Sequence, residues 1–158
     1  MSALTRSTSS DMNPIDETIA RISINTLLHR YSSVARENAD HSETATLFEP
    51  GSVIIFPDGR ERTPEQLGEL TAGDGAPKRL RHHLTTIDVQ FINANEAHCQ
   101  SYNLASTDVK VIDHCGQWDH VVRRQADGKW LISKMIITLL GTDADGWLAG
   151  RMKVPSES

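Results

Sequence analysis

The spacing of apolar residues changes once along the chain, and this change restricts the possible folds more than any other feature. Near the start, apolar side chains recur at helical spacing, as at Ile15, Ile19 and Ile22, which predicts a long amphipathic helix. In the second half they alternate with polar residues, as at Val89 and Phe91, which predicts strands. Because the helices come first and the strands follow, we expect an α+β fold rather than alternating α/β units.

Capping and turn residues predict where these elements begin and end. Asn13-Pro14 is typical of a helix start, and the helical pattern continues to about residue 39. The remaining pattern predicts short helices at 41–48 and 63–70, a strand at 52–56, and long strands that include 82–91, 96–106, 114–125 and 129–140. A curved sheet wrapped around the long helix would leave a conical cavity, a natural place for a small ligand.

Length and charge limit the classes of function. A chain of 158 residues fits one domain, and a net charge of −5 without a block of Lys and Arg argues against nucleic-acid binding. There is no apolar run long enough to span a membrane and no hydrophobic signal core in the first ten residues. Together with Cys99 and Cys115, which we interpret as free thiols, this predicts a cytoplasmic protein without a membrane contact.

Adjacent histidines carry the first sign of chemistry. Only one of His82 and His83 can face a cavity, because neighbouring side chains on a strand point to opposite faces. An imidazole that faces a carboxylate from the long helix would form a proton-transfer site. The His98-Cys99 and His114-Cys115 pairs also diverge along their strands and match no zinc spacing, so we expect neither a metal nor a cofactor.

The order of several short motifs resembles the SnoaL-like branch of the NTF2-like superfamily over residues 15–140. These motifs are Arg81-His82-His83-Leu84-Thr85-Thr86, Gly116-Gln117-Trp118, Arg123 and Asp127-Gly128-Lys129-Trp130. The resemblance implies a cone in which a curved, mixed or antiparallel sheet wraps around the N-terminal helix. It divides the chain into a flexible tail at 1–13, the domain at 14–142 and a C-terminal extension at 143–158. The superfamily includes dehydratases, cyclases, isomerases and non-catalytic binding modules, so the fold does not settle the function.

The resemblance also assigns catalytic roles. In scytalone dehydratase and the hexachlorocyclohexane dehydrochlorinases, an Asp near the end of the long helix orients a strand His that removes a proton. His82 is similar in position to that base, and counting back from residues 48–50 assigns the acidic role to Glu37. Counting from Tyr31 assigns Arg36 instead, which would leave His82 without its anion. Tyr102 lies near a position where the dehydratase has another His, and its phenol would donate to a developing enolate oxygen.

Five further side chains are predicted to contact the substrate. Trp118 takes a place where the dehydratase has a polar Asn, which indicates an aromatic wall. His120 shares the face of Trp118 on the same strand, and Tyr31, Phe56 and His83 complete the predicted lining.

The resemblance thus implies a cofactor-independent lyase or isomerase that uses a His base on a hydrophobic, aromatic or polyketide-like molecule. A non-catalytic small-molecule-binding module is the alternative, and a subunit that accompanies a larger oxygenase is a third, less favoured hypothesis. A homodimer is also implied, and the outward residues of the last strand, such as Ile136 and Thr138, would suit its interface.

Overall fold

A long helix packs against one face of a six-stranded sheet in the computed structural model, which describes residues 12–71, 75–149 and 151. The elements are α1 (Pro14–Val34), α2 (His41–Ala45), β1 (Phe48–Ile55), β2 (Glu61–Arg62), a 3-10 helix (Pro64–Leu70), β3 (Leu80–Asn93), β4 (Glu96–Thr107), β5 (His114–Arg124) and β6 (Trp130–Thr142). The predicted flexible tail, apart from its last two residues, and the end of the predicted C-terminal extension lie outside the described residues.

Helix α1 begins where the sequence predicts and ends earlier. The Asn13 side chain accepts hydrogen bonds from the backbone amides of Ile15 and Asp16, both at 3.0 Å. The predicted end near residue 39 is wrong, because the backbone leaves the helix at Ala35, where ψ is 74°. The helix therefore stops at Val34, and the Ala35 carbonyl becomes available to a side chain outside the helix.

The buried face of α1 is not the one that its isoleucines suggest. Ile15, Ile19 and Ile22 are exposed, whereas Ile24 and Tyr31 are buried against the sheet. Helical spacing in the sequence therefore identified the helix correctly but not the stripe that packs, since two apolar stripes are present and only contact with the sheet distinguishes them.

The second predicted helix is too long, and the first predicted strand starts too late. Helix α2 ends at Ala45, and Phe48 already belongs to β1, where it pairs with Ile132 of β6. The register of β1 against β6 shifts between Phe48 and Val53, around Gly51, whose φ is +80°. Pro50 and Gly51 therefore form an irregularity inside a strand rather than the end of a helix.

The sheet is mixed and open, with the strand order β2-β1-β6-β5-β4-β3. Strands β3 to β6 form an antiparallel meander, and β1 runs parallel to β6. The predicted α+β class, with a mixed sheet against the N-terminal helix, is confirmed. Among the described residues, no helix has the length and apolar character needed to cross a bilayer.

A bulge in β3 determines which histidine faces the helix. Simple alternation back from Phe91 and Val89 would turn His83 inward. The pairing of β3 with β4 shifts between Leu84 and Thr86, so the alternation restarts and His82 points inward instead. His83 lies exposed on the outer face.

The inner face of the sheet has two ends with different composition. The end that we call the closed end is filled by apolar side chains, most of them large, that belong to one core with α1, namely Val89, Phe91, Ala97, Val122 and Trp130. The other end, which we call the open end, carries small and polar residues at the inward positions, namely His82, Asn103, Ala105, His114 and Gly116. A cavity lies over the open end.

Candidate active site

The cavity has a volume of about 400 Å³ and lies between the open end of the sheet, the end of α1, α2 and the 3-10 helix. Its lining includes Tyr31, Phe56, His82, Asn103, His114 and Trp118. A pocket of this size, with mostly apolar walls and a few polar groups, is typical of a site for a small molecule.

Of the three histidines that line this cavity, His41 belongs to α2, and the other two project from strands that are not neighbours. Ala105 of β4 pairs with His82 of β3 on one side and with His114 of β5 on the other. The methyl side chain of Ala105 leaves the space above β4 free, so the two rings approach each other, with 5.7 Å between their centroids. The His82 ring also lies 5.0 Å from the Trp118 ring, measured between centroids.

His82 is held by a backbone carbonyl. Its Nδ1 lies 2.8 Å from the carbonyl oxygen of Ala35, and because a carbonyl only accepts, Nδ1 carries the hydrogen. Nε2 then has a free lone pair. Burial lowers the pKa of His82 to about 4, because the bond to Ala35 opposes this effect only in part and the nearby His114 adds to it. The ring is therefore neutral at physiological pH.

The predicted pairing of His82 with Glu37 is wrong. The Glu37 carboxylate accepts hydrogen bonds from the Leu80 backbone amide at 2.7 Å and from the Arg81 guanidinium at 2.5 Å. Burial would raise the pKa of Glu37, but the hydrogen bonds from Arg81 and Leu80 outweigh it and lower the pKa. Glu37 thus ties the end of α1 to the start of β3, and Arg36 lines the cavity in its place.

A carboxylate does meet a cavity histidine, but in another part of the chain. The His114 Nδ1–H donates to Oδ1 of Asp113 at 2.9 Å. Asp113 is fully buried and also accepts from the backbone amides of Trp147 at 2.6 Å and Leu148 at 3.2 Å, and from the Thr107 hydroxyl at 3.1 Å. These hydrogen bonds together outweigh the effect of burial and lower the pKa of Asp113, so the group is ionised.

The C-terminal extension completes this pair. Trp147 and Leu148 line the cavity, and their amides hold the Asp113 carboxylate. Gly146 allows the approach, since a Cβ at this position would lie 3.0 Å from Asp113 Oδ2 and 3.0 Å from the Asp143 carbonyl. Residues 147 and 148 of the extension are therefore part of the cavity wall.

Asn103 is a second polar group that the sequence interpretation did not single out. It is buried and lines the cavity, and its Nδ2 has no hydrogen-bond partner within the described ranges. Gly116, its partner across β4 and β5, leaves room for it, because a Cβ there would lie 3.4 Å from Asn103 Nδ2 and 2.8 Å from the Thr138 carbonyl. A buried amide hydrogen without an acceptor is costly unless a ligand accepts it.

The predicted role of Tyr102 as a donor to the substrate is wrong, because its side chain does not face the cavity. Tyr102 is 40% exposed and lies on the outer face of β4, whereas Asn103 beside it faces the cavity. His83 likewise lies on the outer face, so its predicted contact with a ligand in the cavity is also wrong. The bulge in β3 and the register of β4 decide both positions.

Three of the predicted contact residues do line the cavity. Tyr31, Phe56 and Trp118 are buried in its wall, and Tyr31 meets the Trp118 ring edge-on at 5.2 Å between centroids. Burial raises the pKa of Tyr31, so its phenol keeps its proton.

His120 lies deeper than predicted. It packs beside Tyr31 and Trp118, at centroid distances of 6.3 and 6.5 Å, rather than in the cavity lining. Neither ring nitrogen has a hydrogen-bond partner in the part of the chain that the structure describes. Burial lowers the pKa of His120 to about 4, although the Asp119 carboxylate acts in the opposite direction. His120 is thus a neutral core residue.

The sequence contained one signal for the Asp113–His114 pair. Adjacent side chains diverge within a regular strand, and this rule excludes a shared site for His114 and Cys115. Asp113, however, precedes the first residue of β5, where the backbone is not yet regular. An acidic residue directly before a strand that begins with His is therefore the pattern that would have indicated the pair.

Comparisons with known proteins agree with this architecture. No family model matches the chain, and no curated protein matches it. Among solved structures, a scytalone dehydratase-like protein from Novosphingobium aromaticivorans matches with a TM-score of 0.67 at 18% identity, over 83% of this chain and 91% of that one. A type 3 hexachlorocyclohexane dehydrochlorinase from Novosphingobium barchaimii matches with a TM-score of 0.69 at 13% identity, over 83% and 93%. A Nostoc punctiforme protein of unknown function with a cystatin-like fold matches with a TM-score of 0.65 at 17% identity, over 77% and 91%.

The chain has the NTF2-like fold. The resemblance inferred from the short motifs is therefore confirmed at the level of the fold. Known neighbours in this fold include a dehydrochlorinase and a protein of unknown function, and at identities of 13–18% the likeness carries no residue roles. The function has to be argued from the site itself.

Proposed function

We propose that this NTF2-like protein is a cofactor-independent enzyme that removes a proton next to a carbonyl group in a hydrophobic small molecule. The observation that carries the proposal is the neutral His82 ring in the cavity wall, with Nδ1–H bound to the Ala35 carbonyl and Nε2 left to accept a proton. This is the state that a general base needs before it reacts.

The lowered pKa of His82, about 4, has a consequence for the reaction. A buried imidazolium is unfavourable by itself, so the ring accepts a proton only when negative charge develops close by. An enolate in the cavity supplies such a charge, and the ion pair forms away from water, where electrostatic attraction is strong. The base would therefore be selective for a reaction that produces an anion beside it.

Asn103 takes the role that the sequence assigned to Tyr102. Its buried Nδ2 faces the cavity, has no acceptor among the residues that the structure describes, and can donate to an oxygen that gains negative charge during the reaction. A fixed donor of this kind accelerates acyl and enolate chemistry by about 100-fold or more.

The walls indicate the kind of substrate. Tyr31, Phe56 and Trp118 present aromatic surface to a cavity of about 400 Å³. A flat, largely apolar molecule with one carbonyl group suits this lining, as predicted for an aromatic or polyketide-like compound.

Exchange of α-protons for deuterium tests the proposal without a leaving group. The probe is 4-phenylbutan-2-one in D₂O, and proton NMR measures how fast the signals of its α-protons disappear. We expect the wild-type protein to accelerate the exchange, and His82→Gln to slow it by about 100-fold or more.

His83→Gln is the matched control, since it removes the neighbouring imidazole on the outer face and should leave the exchange rate unchanged. Equal rates for the wild type and His82→Gln would contradict the assignment of the base.

A non-catalytic binding module is the second candidate. The specific observation in its favour is that His82 bonds to a carbonyl, while Glu37 is engaged by Leu80 and Arg81. If 4-phenylbutan-2-one shifts the NMR signals of Trp118 and Tyr31 but no exchange occurs, binding without catalysis is the better description.

We further propose that the protein forms a homodimer through the outer face of the sheet. Tyr102, Leu104, Ile136 and Leu140 expose apolar surface on this side of β4 and β6. Light scattering of the wild type should give twice the mass of the chain, and Leu104→Lys should give the monomer mass. A monomeric wild type at micromolar concentration would contradict this proposal.

A further inference from the structure

We propose that His114, held by Asp113, is a general acid that protonates a leaving hydroxyl group, so that the substrates are β-hydroxy ketones and the reaction is loss of water. This inference rests on the proton abstraction proposed for His82 and adds the second half of the reaction. It concerns a pair of residues at the entry to β5, separate from the end of α1 where the sequence suggested the acidic partner.

The first support is position. His114 and His82 line the same cavity and project from the sheet on either side of Ala105, with 5.7 Å between the ring centroids. The α-carbon and the β-oxygen of a β-hydroxy ketone are separated by two bonds. One ring can therefore reach the α-proton while the other reaches the oxygen on the neighbouring carbon.

The second support is the difference between the partners of the two rings. His82 donates to a neutral carbonyl, which does little to stabilise a positive ring. His114 donates to a buried carboxylate that three further groups hold in place, the amides of Trp147 and Leu148 and the hydroxyl of Thr107. An ionised carboxylate in this position orients the imidazole and stabilises a positive charge that forms on it during a reaction. The cavity thus contains one ring bonded to a neutral acceptor and one ring bonded to an anion.

The proposed step balances without any added reagent. His82 Nε2 takes the α-proton, and the electron pair of the C–H bond forms the enolate. The enolate then returns to the ketone, its electron pair forms the C=C bond, and the C–O bond at the β-carbon breaks. The leaving oxygen takes the proton from His114 Nε2 and departs as water. His82 has gained one proton and His114 has lost one, and transfer between them through solvent restores both.

The leaving group decides how much such an acid matters. Hydroxide is a strong base and leaves slowly unless it is protonated, whereas chloride leaves readily as an anion. Removing a true general acid should therefore slow the loss of water by about 100-fold or more and slow the loss of chloride only slightly.

Two probes of similar size test this difference. They are 4-hydroxy-4-phenylbutan-2-one and 4-chloro-4-phenylbutan-2-one. Both yield 4-phenylbut-3-en-2-one, and the absorbance of this product measures each rate after the uncatalysed rate has been subtracted. We expect His114→Gln to lose about 100-fold in dehydration while chloride loss stays within about 5-fold. Retained chloride loss also shows that the variant is folded. His82→Gln should lose both activities, because both need the base.

Asp113 is a positioning residue, and its test includes a signal that a purely structural role would not produce. Asp113→Asn should slow dehydration much more than chloride loss, and it should abolish the strongly downfield Nδ1–H proton signal that a carboxylate partner gives His114. Asp119→Asn, which removes an outer-face carboxylate from the same strand, is the control and should change neither readout.

The outcomes separate this inference from the proposed function. Exchange of α-protons in 4-phenylbutan-2-one without any dehydration of the hydroxy probe overturns the acid role and leaves the base in place. The acid role is also overturned if His114→Gln lowers the rate of water loss and the rate of chloride loss by the same factor. If the wild type neither exchanges α-protons nor eliminates from either probe, both proposals fail together.

Discussion

The same strands build both ends of the inner sheet face, but the inward side chains at the two ends differ in size and polarity. At the closed end, Phe91 meets Trp130 at 6.1 Å between ring centroids, and both are buried against the apolar core. At the open end, the same strands β3 to β5 place His82, Ala105 and His114 in one row across the sheet. Large apolar side chains close one end, while small and polar ones leave a cavity at the other.

The difference separates the apolar packing that stabilises the fold from the polar groups that line the cavity. Burial of apolar surface at the closed end provides the main driving force for folding. The open end instead contains a buried carboxylate, two close imidazoles and a buried amide that has no acceptor in the described part of the chain. Such polar groups stabilise a fold less than apolar packing does, and they are typical of functional sites.

The largest expected effect lies at the closed end. Phe91→Ala should lower the free energy of unfolding by about 4 kcal/mol, because it removes a buried ring and leaves a cavity beside Trp130. Urea unfolding followed by circular dichroism measures this value. An effect below about 1 kcal/mol would show that the closed end does not carry the stability of the fold.

His120→Phe should change how stability depends on pH. The folded pKa of His120 is about 4 and the ordinary value is 6.5, so below pH 6.5 only the unfolded chain takes up the proton. Stability therefore falls as the pH falls from 6.5 to about 4, by about 3 kcal/mol for this one group. The variant should lack this acid-induced fall in stability and should therefore be more stable than the wild type at pH 4–5. Urea unfolding at several pH values measures the difference.

Measurements above pH 7.5 are the control for this prediction. In that range His120 is largely unprotonated in both the folded and the unfolded chain, so stability should depend on pH equally in the wild type and the variant. A His120→Phe protein with an unchanged slope between pH 6.5 and 4 would contradict the buried, neutral state of His120.

Gly146→Ala should loosen the open end without unfolding it. The new Cβ would lie 3.0 Å from Asp113 Oδ2 and 3.0 Å from the Asp143 carbonyl, so the amides that hold Asp113 must shift. We expect a loss of about 1–2 kcal/mol in thermal or urea unfolding. At Gly141, by contrast, a Cβ would lie 3.5 Å from Cys115 Sγ, an ordinary contact, and Gly141→Ala should cost less than half as much.

The smallest effect on stability is expected at Asn103. Asn103→Leu replaces an amide whose Nδ2 lacks a partner among the described residues by an apolar group of similar size, so stability should change by less than about 1 kcal/mol or rise. The rate of α-proton exchange should nevertheless fall by about 100-fold. A large loss of stability with an unchanged rate of exchange would contradict this prediction, because Asn103 would then stabilise the fold and take no part in the exchange.

The elements themselves could be predicted because their causes are local. Asn13 caps α1 through the amides of the next turn, and the alternation at Val89 and Phe91 follows from the two-residue period of a strand. The α+β class follows from the order of these elements along the chain, and the fold followed from the order of the short motifs. The inward position of His82 was also predicted, through the resemblance and not through alternation.

The partners of the site residues were decided by the tertiary structure. Glu37 bonds to Arg81 and the Leu80 amide because α1 ends at Val34 and the chain then passes the start of β3. Asp113 meets amides from residues 147 and 148, more than thirty positions away, and no local pattern indicates that contact. Capping and alternation act between near neighbours in the chain. Strand register, bulges and contacts between distant segments are set by packing of the whole domain. The amino-acid order thus specified the scaffold, and the assembled fold selected which carboxylate holds which imidazole.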